Sequence, residues 1–237
     1  MAGLALFDLD NTLIDRLGAF TSWATTFVGA VGGTPDDLAW LLHTDDDGRT
    51  PLATLFDAAR RRWDLAESVD DLVAAYRRTQ ADHYAPDPAV IEPLRRLRAA
   101  GWRIAVVTNG APVQHRKVDR AGLTDLVDTV WVSSEVGSAK PDPAIFLEAC
   151  RHRPGSDHNP GSGHSPGSLP DDVVVMVGDS PEADIAGANA LGLVTVWLHR
   201  GRPWPDLPFR PDHVAGSVME AVDVILALNP ASPRRPQ

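Results

Sequence analysis

The sequence holds a single cysteine, Cys150, in 237 residues. No internal disulfide can form, and the chain suits a reducing compartment. Positive charge is also scarce: 22 lysines and arginines stand against 32 aspartates and glutamates, giving a formal charge of -10. That balance argues against a general polyanion-binding face and sets nucleic acid aside as a partner. No uninterrupted apolar run approaches the length that crosses a bilayer. The residues before Asp8 include no basic region and end too soon for a signal peptide. The expectation is a cytoplasmic protein, monomer or homodimer, with no membrane partner.

What is present is an ordinary globular balance, 43% hydrophobic and 23% charged, in a chain long enough to bury a core unaided. Five short apolar runs are rich in β-branched residues and do not alternate: Leu4–Phe7, Ile104–Val107, Thr129–Val132, Val173–Val177 and Val194–Leu198. That pattern predicts parallel strands covered on both faces. Helical patterns separate most of them, at Pro88–Ala100, Ala144–Arg151, Ala183–Leu191 and Ser217–Leu228. Gly101, Gly122 and Gly192 follow helical runs, where a left-handed residue closes a helix. The fold class is therefore α/β, a doubly wound parallel sheet of Rossmann-like type.

One interval breaks the alternation. Roughly 95 residues separate the first two strands, far more than one crossover helix needs. Only helical patterns occur there: Phe20–Val31, Asp36–Leu42, Pro51–Trp63 and Val69–His83. The domain reading is an α/β core over 1–15 and 86–228, with an all-helical cap inserted at 16–85. Pro-Gly-Ser recurs at 154–156, 160–162 and 166–168, with His152, His158 and His164 in the same period. Residues 153–170 read as a solvated loop, and 229–237 as a disordered tail.

The chemistry collects at the carboxyl ends of the strands. The first run delivers Asp8, Asp10 and Thr12, the second Thr108, Asn109 and Gly110. Lys140 follows the third, and Asp179 and Ser180 follow the fourth. In an open parallel sheet these ends share one edge, where the ligand crevice forms. Three carboxylates in one cleft repel one another unless a cation intervenes, and all-oxygen ligation suits Mg²⁺. With Lys140 as a second positive charge and Thr108 as a donor, the set fits phosphoryl transfer. His199 and Arg200, after the fifth run, lie on the same edge.

Four segments, Phe7–Leu13, Val107–Gly110, Ala139–Pro143 and Gly178–Asp184, resemble in order the motifs of the haloacid dehalogenase superfamily. The helical insert resembles that family's C1 cap, expected to close over the core. The resemblance implies that Asp8 is the nucleophile and Asp10 the general acid and base. It implies that Thr108, Asn109 and Lys140 hold the phosphoryl group. Mg²⁺ is then held by Asp8, the Asp10 carbonyl and Asp179, with Asp184 in support. Thr12, Gly110 and Ser180 shape the loops. Asn11 stands where many members carry glycine. Because dehalogenases of the family resemble the pattern without a second aspartate, Asp10 favours a phosphatase acting on a small phosphorylated metabolite. A phosphotransferase of the β-phosphoglucomutase kind keeps the same pair and stays open, as does a phospho-accepting switch or binding module.

Overall fold

The computed structural model describes residues 3–151 and 173–228. The period-six repeat and the tail after residue 228 lie outside them. The chain divides into two compact units, one of Met1–Ile14 with Pro86–Gln237 and one of Asp15–Ala85.

The first unit is a six-stranded sheet. Its strands are β1 Gly3–Phe7, β2 Trp102–Thr108, β3 Thr129–Val132, β4 Val174–Gly178, β5 Val194–Leu198 and β6 His213–Ala215. They lie in the order β3-β2-β1-β4-β5-β6, and every neighbouring pair is parallel. Every residue of β1 and of β4 is buried, as the unbroken apolar runs predict for strands covered on both faces. Leu6, Phe7, Val175 and Val177 are fully enclosed, and each such side chain stabilises the fold by about 1.5–3 kcal/mol through lost apolar surface. Cys150 belongs to the same core and is 1% exposed.

Two helices of this unit start on side-chain caps. Pro88–Ala99 follows Asp87, whose carboxylate accepts from the Ala89 N–H, and Val218–Ala227 follows Ser217 in the same way. Gly101, Gly122 and Gly192 have positive φ. The unit departs from the sequence expectation in two ways. The helix expected at Ala183–Leu191 is a π-helical turn, Pro181–Ala186, running into the short helix Gly187–Asn189. The second difference is two added elements, the three-residue β6 and a helix over Val113–Arg120. That helix buries Gln114 and Lys117 beside Val118, so it carries no apolar stripe to betray it.

The second unit consists of α1 Arg16–Ala30, α2 Pro35–Asp45, α3 Leu52–Trp63 and α4 Val69–Thr79 with short 3₁₀ turns. A capping box of Thr34 and Asp37 opens α2, and Ser68 caps α4. Its core is aromatic: Trp23 stacks on Phe27 at 5.0 Å and meets Tyr76 edge-on at 4.7 Å. Arg62, part of the basic run on α3, lies 4.6 Å over Trp40 and pairs with Asp37. Arg16 is buried and pairs through both terminal nitrogens with the fully enclosed Asp45, at 2.6 Å each.

That pair generates a stability prediction. Arg16→Ala strands a buried carboxylate and should destabilise the fold by about 3–5 kcal/mol in urea denaturation. The double variant Arg16→Met, Asp45→Leu should recover most of that loss. Equal losses in the two variants would contradict the assignment of the cost to an unpaired charge.

Candidate active site

β1 carries the chain to the edge and stops. The Asp8 N–H still donates to the Val177 carbonyl of β4 at 2.9 Å, so its backbone stays registered to the sheet. The chain then turns tightly: the Leu9 carbonyl accepts from the N–H groups of Thr12, Leu13 and Ile14 at 3.3, 2.9 and 3.1 Å. Leu9 and Leu13 are buried beneath this turn. Asn11 has φ 64°, a left-handed conformation that asparagine tolerates better than most residues.

Lys140 is aimed by Asn109. The Asn109 amide donates to the Lys140 carbonyl at 2.9 Å, and its oxygen accepts from the Lys140 N–H at 2.8 Å. The buried Lys140 ammonium then donates to Asp8 Oδ1 at 2.6 Å and to Asp184 Oδ1 at 2.7 Å. The other Asp184 oxygen accepts from the Ser180 N–H at 2.9 Å. The wide π-helical turn brings Asp184 back toward its own N-terminus for this contact. Space for it comes from Gly178, where any Cβ would collide with the Asp184 carboxylate.

Asp179 continues from β4 on the neighbouring strand. Its carbonyl accepts from Trp197 Nε1 at 2.9 Å and from Arg202 Nη2 at 2.7 Å. Its carboxylate accepts from Arg202 at 2.9 Å, and Arg200 lies 3.4 Å away. Oxygens of Asp8, Asp179 and Asp184 all lie within 4.8 Å of one another. This is a buried acidic cluster suited to Mg²⁺, since a hard cation prefers oxygen donors and offsets their repulsion.

Burial dominates the electrostatics. It pushes Asp8 up to about 7, against the pull of Lys140 and with repulsion from Asp184 and Asp10. Burial likewise raises Asp179, joined by Asp8 and opposed by Arg202 and Arg200. Asp184 is raised by its complete burial despite Lys140. For Lys140 burial works the other way, but Asp184 and Asp8 outweigh it and hold the ammonium well above its ordinary value.

Of the residues singled out in the sequence, Asp8, Lys140, Asp179 and Asp184 converge directly. Thr108 and Asp10 are joined through Gln114, whose Nε2 lies 2.7 Å from Thr108 Oγ1 and 2.8 Å from Asp10 Oδ2. Asn109 has its side chain engaged with the Lys140 backbone. The Gly110 N–H donates to Ser133 Oγ at 2.9 Å, and Ser180 Oγ accepts from the Ala183 N–H at 3.1 Å, so both shape loops. Thr12 is buried, and its hydroxyl has no hydrogen-bond partner among the described residues. His199 accepts from the Gly201 N–H. Three residues were missed. Gln114 and Lys117, whose ammonium lies 2.8 and 2.9 Å from the Asp10 oxygens, sit on the unforeseen helix. Arg202 is in a loop beyond β5, and only its nearness to Arg200 in sequence hinted at it.

The chain is 35% identical over 162 residues to a glyceraldehyde 3-phosphate phosphatase of Methanopyrus kandleri, a match spanning 66% of this chain and 63% of that protein's length. A glyceraldehyde 3-phosphate phosphatase of Pyrococcus abyssi is 29% identical over 212 residues, 85% of this chain and 83% of its own. Among solved structures, the magnesium-bound HAD-hydrolase YfnB of Bacillus subtilis shares the fold with a TM-score of 0.72 and 21% identity, covering 94% of this chain and 98% of that one. The model of the haloacid dehalogenase-like hydrolases matches residues 5–198, from within β1 to the end of β5 and so across each of the strand ends that carry the acidic cluster. The chain belongs to the haloacid dehalogenase-like hydrolases.

Proposed function

We propose that the chain is a Mg²⁺-dependent phosphatase that hydrolyses a small phosphorylated metabolite through an aspartyl-phosphate on Asp8. The observation that carries this reading is the single ammonium of Lys140 bridging Asp8 and Asp184, with Asp179 within reach of one shared cation. Two relatives described as glyceraldehyde 3-phosphate phosphatases support the same substrate class.

Asp8 attacks phosphorus, and the bond to the leaving alkoxide breaks. Asp10 gives that alkoxide its proton. Asp10 then takes a proton from water as the water attacks the aspartyl-phosphate, releasing inorganic phosphate and restoring Asp8. Lys140 and Thr108 hold the phosphoryl oxygens while charge shifts among them. Mg²⁺ would be held by the Asp8 and Asp179 carboxylates with the Asp10 carbonyl, and when bound it supplies positive charge to the phosphoryl oxygens. Asp184, whose oxygens face Lys140 and the Ser180 N–H, steadies the lysine rather than reaching for the ion. Displacement of a halide from carbon needs no proton donor, so a carboxylic acid in the Asp10 position suits an alkoxide leaving group better.

Two experiments test the reading. Asp8→Asn keeps the shape but removes the nucleophile, so phosphate release from phosphorylated metabolites should fall to background in a protein that still melts cooperatively. Turnover near the parent value would overturn the mechanism. Separately, Mg²⁺ at a hundredfold excess over its dissociation constant should stabilise the fold by about 2.7 kcal/mol. Thermal melting should show that gain, and Asp179→Asn should lose most of it. A parent midpoint indifferent to Mg²⁺ would remove the metal from the scheme.

A further inference from the structure

The helix over Val113–Arg120 is unusual in what it turns inward. Gln114 is 2% and Lys117 5% exposed, and their i, i+3 spacing puts them on one helical face. Long polar side chains are seldom enclosed without a partner, because lost hydration must be replaced by hydrogen bonds or an opposite charge. Here the replacement is Asp10. Lys117 Nζ lies 2.8 Å from Asp10 Oδ1 and 2.9 Å from Oδ2, and Gln114 Nε2 donates to Oδ2 at 2.8 Å. The same amide donates to Thr108 Oγ1 at 2.7 Å. The Asp10 side chain is a quarter exposed, whereas that of Lys117 is 7% exposed. The Asp10 side chain is therefore more open to solvent than the two residues that hold it.

We propose that Lys117 and Gln114 are positioning residues for proton transfer by Asp10, with the Gln114 amide also occupying an acceptor position of the Thr108 hydroxyl. This rests on the phosphatase reading above and deepens it. A general acid must sit within about 2.6–3.2 Å of the oxygen it protonates, and an aspartate on a turn otherwise swings about two side-chain bonds. Three donor contacts on two oxygens remove that freedom. Because Gln114 fills one acceptor position of Thr108, the proton of that hydroxyl is left for another acceptor; it faces the Asn109 carbonyl at 3.4 Å, a long contact that a phosphoryl oxygen could replace. Proton donor and phosphate donor are thus held by one amide.

The test uses the dependence on the leaving group. An alkyl phosphate expels a strongly basic alkoxide that needs a proton, whereas p-nitrophenyl phosphate expels a stabilised phenolate that does not. The ratio kcat/KM isolates the steps through formation of the aspartyl-phosphate. Lys117→Met should lower kcat/KM on an alkyl phosphate about tenfold or more beyond its loss on p-nitrophenyl phosphate. Lys117→Arg, which keeps the charge and the reach, should restore a large part of that difference. Losses equal on both esters, or none, would overturn the inference and leave the phosphatase reading standing. A parent protein inactive on both esters would remove both. If Lys117→Met does not fold, Gln114→Met carries the same expectation and the same refutation.

Discussion

A buried ammonium between two buried carboxylates is the interaction on which the site depends. Lys140 touches Asp8 at 2.6 Å and Asp184 at 2.7 Å, with its side chain 2% exposed. Removing either carboxylate from water alone would be costly, and placing them together more so. The lysine makes the arrangement tenable, and the neighbouring structure serves the lysine. Asn109 clamps its backbone from both sides, Gly178 leaves room for Asp184, and the π-helical turn brings that aspartate around. The clamp comes from the end of β2, and the room and the turn from the end of β4. The parallel sheet, with its order reversing beside β1, brings them to one place.

The same logic extends across the site. Asp8 and Asp184 share Lys140, Asp10 has Lys117, and Asp179 has Arg202 with Arg200 beside it. Among the described residues, each of these four carboxylates thus has at least one cation beside it. A phosphate monoester arrives with about 1.5 to 2 negative charges at neutral pH. A divalent cation adds about the positive charge that matches what the monoester carries. On the proposed reading, the metal supplies the positive charge that the arriving monoester meets.

The fold was legible in the sequence because fully buried parallel strands leave an unmistakable trace. β1 and β4 are unbroken apolar runs, and the residue after each is an aspartate, so edge and chemistry could be located together. Asp8 and Asp179 stood out for that reason, whereas Lys140, further past β3, stood out with its motif Ala139–Pro143. β6 was not legible, being three residues with an exposed Val214 in the middle. The π-helical turn was not legible either. Its widening follows from where the Asp184 carboxylate must go, which is tertiary information.

The largest omission teaches most. Periodicity finds a helix by its apolar stripe, on the assumption that the inward face packs against a core. The Val113–Arg120 helix breaks that assumption, because its inward face packs against Asp10 and Thr108. Gln114 and Lys117 are as thoroughly buried as core leucines, yet in sequence they look like a solvated surface. Polar residues enclosed by a site and polar residues bathed in water give the same pattern. What separates them is whether a fixed group of complementary charge waits on the other side, and here that group, Asp10, lies more than a hundred residues earlier in the chain, on the turn after β1.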